Sequence, residues 1–151
     1  MKNSVFGFDK PEDSPGFLMW QTTITWQRLI KKVLDSYDIS HAHFVILAIT
    51  LWHESKKQVV SQSLIIRQSK LDKMTVSKAF KKLVSKGYVK RMEHKEDTRA
   101  KSIHLTKKGT ELISKLIPII EKVDEDFFIA INKTERQTLI NILNGLVSNF
   151  D

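Results

Sequence analysis

The chain has 151 residues, 41% of them hydrophobic and 28% charged, with no cysteine and a formal net charge of +8. That size and balance argue against bulk disorder and suit one compact protomer with a real core. The lack of cysteine removes disulfides, thiolate zinc sites and thiol redox sensing, and it suits a reducing cytoplasm.

Residues 1–13 are polar and turn-like apart from Val5, Phe6 and Phe8, and the opening MKNSVFGFDKPED has no secretory pattern. Ser14-Pro15 predicts a helix N-cap followed by proline at the first helical position. From Phe17 through Trp20, Ile24, Ile30 and Leu34 an apolar helical face follows. Ser40 predicts the cap of a second helix, HAHFVILAITLWH, which is apolar nearly all round and so expected to be buried. VVSQSLIIRQSK then reads as a short strand followed by a short helix that Ser61 caps. Asp72 caps the next, whose Val76, Ala79, Phe80, Leu83 and Val84 recur at helical spacing, and Gly87 sits where a left-handed residue ends it.

Tyr88–Met92 and Lys101–Leu105 read as two strands around a polar hairpin tip. A long helical pattern follows to about Ile131, with a kink expected at Pro118, and Thr134 is expected to cap a last helix. No apolar run reaches the roughly 18–20 residues of a membrane span. The fold class expected is mainly α with a small β-hairpin wing. A winged helix-turn-helix would occupy 37–106, and dimerisation helices 1–36 and 107–151, whose apolar surface exceeds what a small basic module can cover.

Charge is unevenly spread. Residues 54–108 hold 16 Lys/Arg against 5 Asp/Glu, or +11, and the remainder holds 9 against 12, or −3. A basic middle between near-neutral flanks points to a polyanion. On the helix from Asp72 to Lys86, the residues Lys73, Thr75, Ser77, Lys78, Lys81, Lys82 and Ser85 fall off the apolar stripe. Short hydroxyls can reach base edges or phosphates, and lysines supply charge. Any solvated surface helix can carry such a face. Its place as the second helix of a helix-turn-helix, ahead of a hairpin, favours DNA. At the tip, His94, Lys95, Arg99 and Lys101 accompany Glu96 and Asp97. Asp97 can orient Arg99 toward a narrow minor groove, or the charges can be incidental to a hairpin tip.

The stretches DKMTVSKAFKKLVSKGYVKR and DTRAKSIHLTKKG resemble the MarR family of bacterial transcriptional regulators. The wing signature of that family, Asp-x-Arg, a strand and Leu-Thr-x-x-Gly, is matched in register by Asp97, Arg99, Leu105, Thr106 and Gly109. SPGFLMWQTTITWQRLI and HFVILAITLW are similar to its first two helices, so the resemblance spans roughly 14–150. It implies a homodimer reading a pseudo-palindromic operator in double-stranded DNA. Lys73-Met74-Thr75 would open the recognition helix, and Arg99 would be the wing-tip arginine. Two departures stand out: Ile66 where the family usually has alanine, and Ser69-Lys70 in place of an apolar-Gly pair.

Many members of the family bind small aromatic or phenolic molecules. Here Trp20, Trp26, Phe44 and Trp52 could line such a cleft with His41 or His53 as polar anchors, or they could be core and interface packing. No histidine pair has i, i+4 spacing, so neither a metal nor any other cofactor is expected. No nucleophile–base pair, phosphate loop or paired-carboxylate site stands out, so no enzyme is expected. The function expected is a DNA-binding transcriptional regulator, a repressor relieved by an effector. The alternative is a winged-helix protein–protein adaptor whose basic face meets an acidic partner.

Overall fold

The computed structural model describes residues 4–94 and 97–151, except for the side chains of 93, 94 and 97–101. A short 3-10 turn, Pro11–Asp13, leads into α1 (Pro15–Asp35), α2 (His41–Ser55), α3 (Gln62–Ser69) and α4 (Lys73–Ser85). A two-stranded antiparallel hairpin, β1 (Val89–His94) and β2 (Asp97–Leu105), precedes α5 (Lys107–Phe127) and α6 (Lys133–Ser148). The hairpin pairs Val89 with Leu105 and His94 with Asp97, with an irregularity between Glu93 and His94. Both strands run further toward the tip than the sequence suggests.

Side-chain caps start every α-helix. Ser14, Ser40, Ser61, Asp72, Thr106 and Asn132 each accept a backbone N–H from the first turn, typically worth about 1 kcal/mol apiece. The last of these corrects the expectation for Thr134: Asn132 is the cap, and Glu135 closes a capping box by accepting the Asn132 N–H. The short strand expected ahead of α3 is reduced to a single bridge, Ser61 to Ser102, where the Ile103 N–H donates to the Val60 carbonyl at 2.8 Å. The cap of α3 leaves no residues to extend it. α5 runs as one helix through Pro118 and ends at Phe127, four residues before the expected Ile131. Pro118 is exposed, so the Ser114 carbonyl that loses its donor there can turn to water.

α2 is the central element, touching α1, α3, α4, α5 and β2. Its Ile46 and Leu47 join Ile65, Val76, Phe80, Leu83, Val89, Ile103 and Ile113 in the main core. A second core, Ile30, Leu34, Ile39, Leu116 and Ile120, ties α1 to α5. Phe44, Tyr88 and Leu112 pack against both, so the two cores are continuous.

The Leu-Thr-x-x-Gly run is the joint between hairpin and α5. Thr106 donates its hydroxyl to the Gly87 carbonyl at 2.5 Å and its N–H to the Tyr88 carbonyl at 3.0 Å, while its Oγ1 accepts the Gly109 N–H. A Cβ on Gly109 would lie 1.9 Å from the Tyr88 carbonyl oxygen, so only glycine lets α5 approach this closely. Gly87 adopts φ 76° at the end of α4, as expected of a left-handed terminator. Lys70 takes φ 60° between α3 and α4, doing with a side chain what the expected glycine would do without strain. Ile66, the other departure, packs half-buried against the main core.

Candidate nucleic-acid interface

The geometry of α4 follows from its cap and its apolar stripe. Asp72 accepts the Thr75 N–H at 2.8 Å and the Thr75 hydroxyl at 2.7 Å. Those two bonds hold its carboxyl below the usual carboxylate range. Val76, Ala79, Phe80 and Leu83 are buried and fix which face turns inward. At 100° per residue the face directly opposite carries Met74, Lys78, Lys81 and Ser85. Lys73 and Ser77 lie on one flank, and Thr75, Lys82 and Lys86 on the other. All four predicted lysines of α4, 73, 78, 81 and 82, are exposed, and Thr75 and Ser77 are half-buried. Met74, 68% exposed at the head of the outward face, is a residue that charge-based reasoning passed over.

The flanks are tied down differently. On the α3 side, Ser77 Oγ accepts from Gln62 Nε2 at 2.8 Å. Gln62 Oε1 accepts from Arg91 Nη2 at 3.0 Å. Arg91 lies over the ring of buried Phe80, its guanidinium carbon 4.4 Å from the centroid. The chain α4–α3–β1 is thus bridged by three polar side chains that no motif announced. On the other flank, Lys86 donates to the Asp38 carboxylate at 3.0 Å and also to the Asp38 carbonyl. The Lys86 hydrogen bond draws the Asp38 carboxyl below its ordinary value. Asp97, Arg99 and Lys101 sit on β2, and their side chains lie outside the described residues.

A cleft of 540 Å³ opens where α1, the α1–α2 turn and α4 meet, lined by Lys31, Asp38, His41, His43, Lys82 and Lys86 among others. Of the six candidate pocket residues, only His41 lines it. Trp26 meets His41 edge-on at 5.1 Å and donates its indole N–H to Asp124 Oδ1 at 2.6 Å, locking α1 to α5. Phe44 packs between the two cores. Trp20 and Trp52 are instead 66% and 63% exposed, and Lys56 covers Trp52. His53 is buried between Gln58 and Gln68, a structural bridge from α2 to α3. The side-chain pattern therefore brings together Trp26, His41 and Phe44, but not Trp20 or Trp52.

His43 was not foreseen as structural. Its Nδ1 accepts the Ser40 N–H at 3.0 Å while Ser40 Oγ accepts the His43 N–H, a capping box closed by histidine. Burial, then Lys86 and Lys82, push its pKa down, and burial likewise lowers His41. Among the described residues no three potential ligands cluster for a metal ion, and no helix is long and apolar enough to cross a membrane.

Residues 35–123 match the model of the ArnR1-like winged-helix domain. The uncharacterized HTH-type transcriptional regulator YdcH of Bacillus subtilis (strain 168) is 36% identical over 139 residues, covering 92% of this chain and 91% of that one. In fold, the chain resembles Bordetella bronchiseptica BpsR with a TM-score of 0.83 at 19% identity, covering 96% of this chain and 100% of that one. It resembles S. aureus MepR in a DNA complex with a TM-score of 0.81 at 20% identity, covering 91% and 98%. The family model covers more than half of the chain, and the YdcH relative matches nearly all of it: the chain belongs to the winged-helix, HTH-type DNA-binding transcriptional regulators, with the fold of MarR-family structures.

Proposed function

We propose that the protein is a homodimeric repressor that binds a pseudo-palindromic operator in the cytoplasm, with 72–86 in the major groove and the wing, 93–101, in the minor groove. The observation that carries this reading is the outward face of α4. Lys78 and Lys81 project opposite a fully buried stripe, flanked by Lys73 and Lys82. Such a helix has one face committed to its own domain and the other free for a polyanion. Arg99 and Lys101 would add phosphate or minor-groove contacts from the wing, with Asp97 orienting Arg99. The adaptor alternative draws no support from relatives named as transcriptional regulators.

Two features support the homodimer. α6 has no buried residue; Ile140, Ile142, Leu143, Leu146 and Val147 on it and Phe150 just beyond it are exposed. The chain's surface of 11337 Å² also far exceeds the roughly 7,900 Å² of a compact monomer of this mass. A second copy covering α6, α1 and the end of α5 would account for both, and 1–36 with 107–151 would be the dimerisation part. Two recognition helices would then be spaced by about one DNA turn, roughly 34 Å.

The cleft beside His41 supports regulation by a small aromatic or phenolic acid. It offers lysine ammonium groups for an anion, and Trp26 stands edge-on behind His41. Two of its walls, Lys82 and Lys86, belong to the end of α4, so an occupant would bear on the recognition helix. DNA binding by the similar BpsR is regulated by 6-hydroxynicotinic acid.

Footprinting on the protein's own upstream region tests the reading. The expected result is one protected site with two half-sites about ten base pairs apart. The log–log salt slope should be about −0.9 per phosphate neutralised. Equal affinity for that region and for random duplex would overturn it.

A further inference from the structure

We propose that Gln62, clamped by Arg91, is a specificity-determining residue that fixes the Ser77 hydroxyl as a hydrogen-bond donor toward the DNA bases. This rests on the reading of α4 as the recognition helix. A guanidinium has donors only, so the Gln62 amide can meet Arg91 only through its oxygen, as it does at 3.0 Å. The amide nitrogen is thereby turned to α4, and it donates to Ser77 Oγ at 2.8 Å. The usual ambiguity of an amide flip is removed by the arginine. Arg91 in turn is held against the Phe80 ring, and Phe80 is only 1% exposed.

A hydroxyl has one proton to give. Ser85, on the same helix, gives its proton to the Lys82 carbonyl at 2.8 Å. Ser77 receives from Gln62 and has no acceptor for its own proton among the described residues. That proton is available to an acceptor on a base edge: guanine O6 or N7, adenine N7 or thymine O4. The amino group of cytosine could meet only the hydroxyl's second lone pair and would leave the serine proton without an acceptor, so it is disfavoured there.

Thr75, on the opposite flank, has the reverse polarity. Its hydroxyl proton is taken by Asp72 Oδ2 at 2.7 Å, so toward a base it can only accept, from adenine N6 or cytosine N4. The two short hydroxyls of one recognition helix are therefore not interchangeable. Each has its polarity set by a partner that itself never needs to touch DNA.

The test is base preference at each position of the operator, measured by competition among duplexes varied one base pair at a time. Ser77→Ala maps the pair concerned, by erasing discrimination there. At that pair the wild type is expected to favour acceptor edges over the cytosine amino edge by about 10-fold. Gln62→Leu releases the serine to turn its proton onto a carbonyl of its own helix, as Ser85 does, and should reduce the ratio to within about 2-fold. Gln62→Glu still meets Arg91 but can only accept from Ser77, so the serine must present lone pairs and the preference should invert. Ratios within one variant are compared, so the added charge of glutamate cancels. Wild-type preference retained in both Gln62 variants overturns the proposal, as does discrimination unaltered by Ser77→Ala. A wild type with no preference at any pair instead overturns the recognition-helix reading itself.

Discussion

The winged-helix body and the last helix, α6, are opposites in how they spend apolar residues. Within the body, α2 to α5 each bury a face, and two cores meet through Phe44, Tyr88 and Leu112. α6 is well capped at its start but buries nothing, and six large apolar side chains along and just beyond it face outward. A helix gains most of its stability from a packed apolar face. The contrast teaches that the winged-helix body is packed on its own, while α6 keeps an apolar face uncovered in one copy of the chain.

The sharpest way to break the self-sufficiency of the body is at the hairpin–α5 joint. Gly109→Ala would place a methyl 1.9 Å from the Tyr88 oxygen, and backbone cannot move aside cheaply. A loss of more than about 3 kcal/mol in urea unfolding is expected. A loss under about 1 kcal/mol would mean that α5 is free to shift and the joint is not rigid.

A smaller effect should come from the cap of α2. Burial depresses His41 and His43, so the unfolded chain binds protons at a higher pH than the folded one. Stability is therefore full above the ordinary histidine pKa of about 6.5 and falls as the pH drops through it. The slope is at most about 1.4 kcal/mol per pH unit for each histidine, and it flattens below the folded values. Asp38, Lys82 and Lys86 surround His43, and protonating Nδ1 would also break its bond to the Ser40 N–H. His43→Gln keeps a capping acceptor and should remove that residue's share of the slope between pH 7.5 and 5.5. An unchanged slope would place the titration elsewhere.

Smaller still is the left-handed turn between α3 and α4. Lys70→Gly should stabilise the protein by about 0.5–1 kcal/mol, since the strained φ outweighs an exposed ion pair to Asp151. A destabilised variant would show that the Lys70–Asp151 contact matters more than the backbone.

The body was also the legible part of the sequence. Caps at Ser14, Ser40, Ser61 and Asp72, the spacing of Val76, Ala79, Phe80 and Leu83, and Gly87 all act over a few residues, where sequence is informative. Asn132 was missed because Thr134 is an equally good capping residue two positions on, and only the Glu135 back-bond separates them. The strand ahead of α3 shrinks to one bridge because β-propensity does not say whether a ladder has room to extend. Long-range partners carried no local signal. The Arg91–Gln62–Ser77 chain joins residues 29 and 15 positions apart, and the exposure of Trp20 and Trp52 depends on which helices pack where. A histidine in place of glutamate or glutamine at the third helical position hid the capping box of α2.

The central claim is that the reading head works only as a pair joined through α6. Sedimentation equilibrium of a Leu143→Glu/Leu146→Glu variant, paired with operator titration, tests it most directly. The account predicts a 17.5 kDa monomer that keeps its helical content and binds a two-half-site operator at least about 100-fold more weakly than wild type. A variant that stays dimeric, or a monomer that binds the full operator as tightly as wild type, would contradict it.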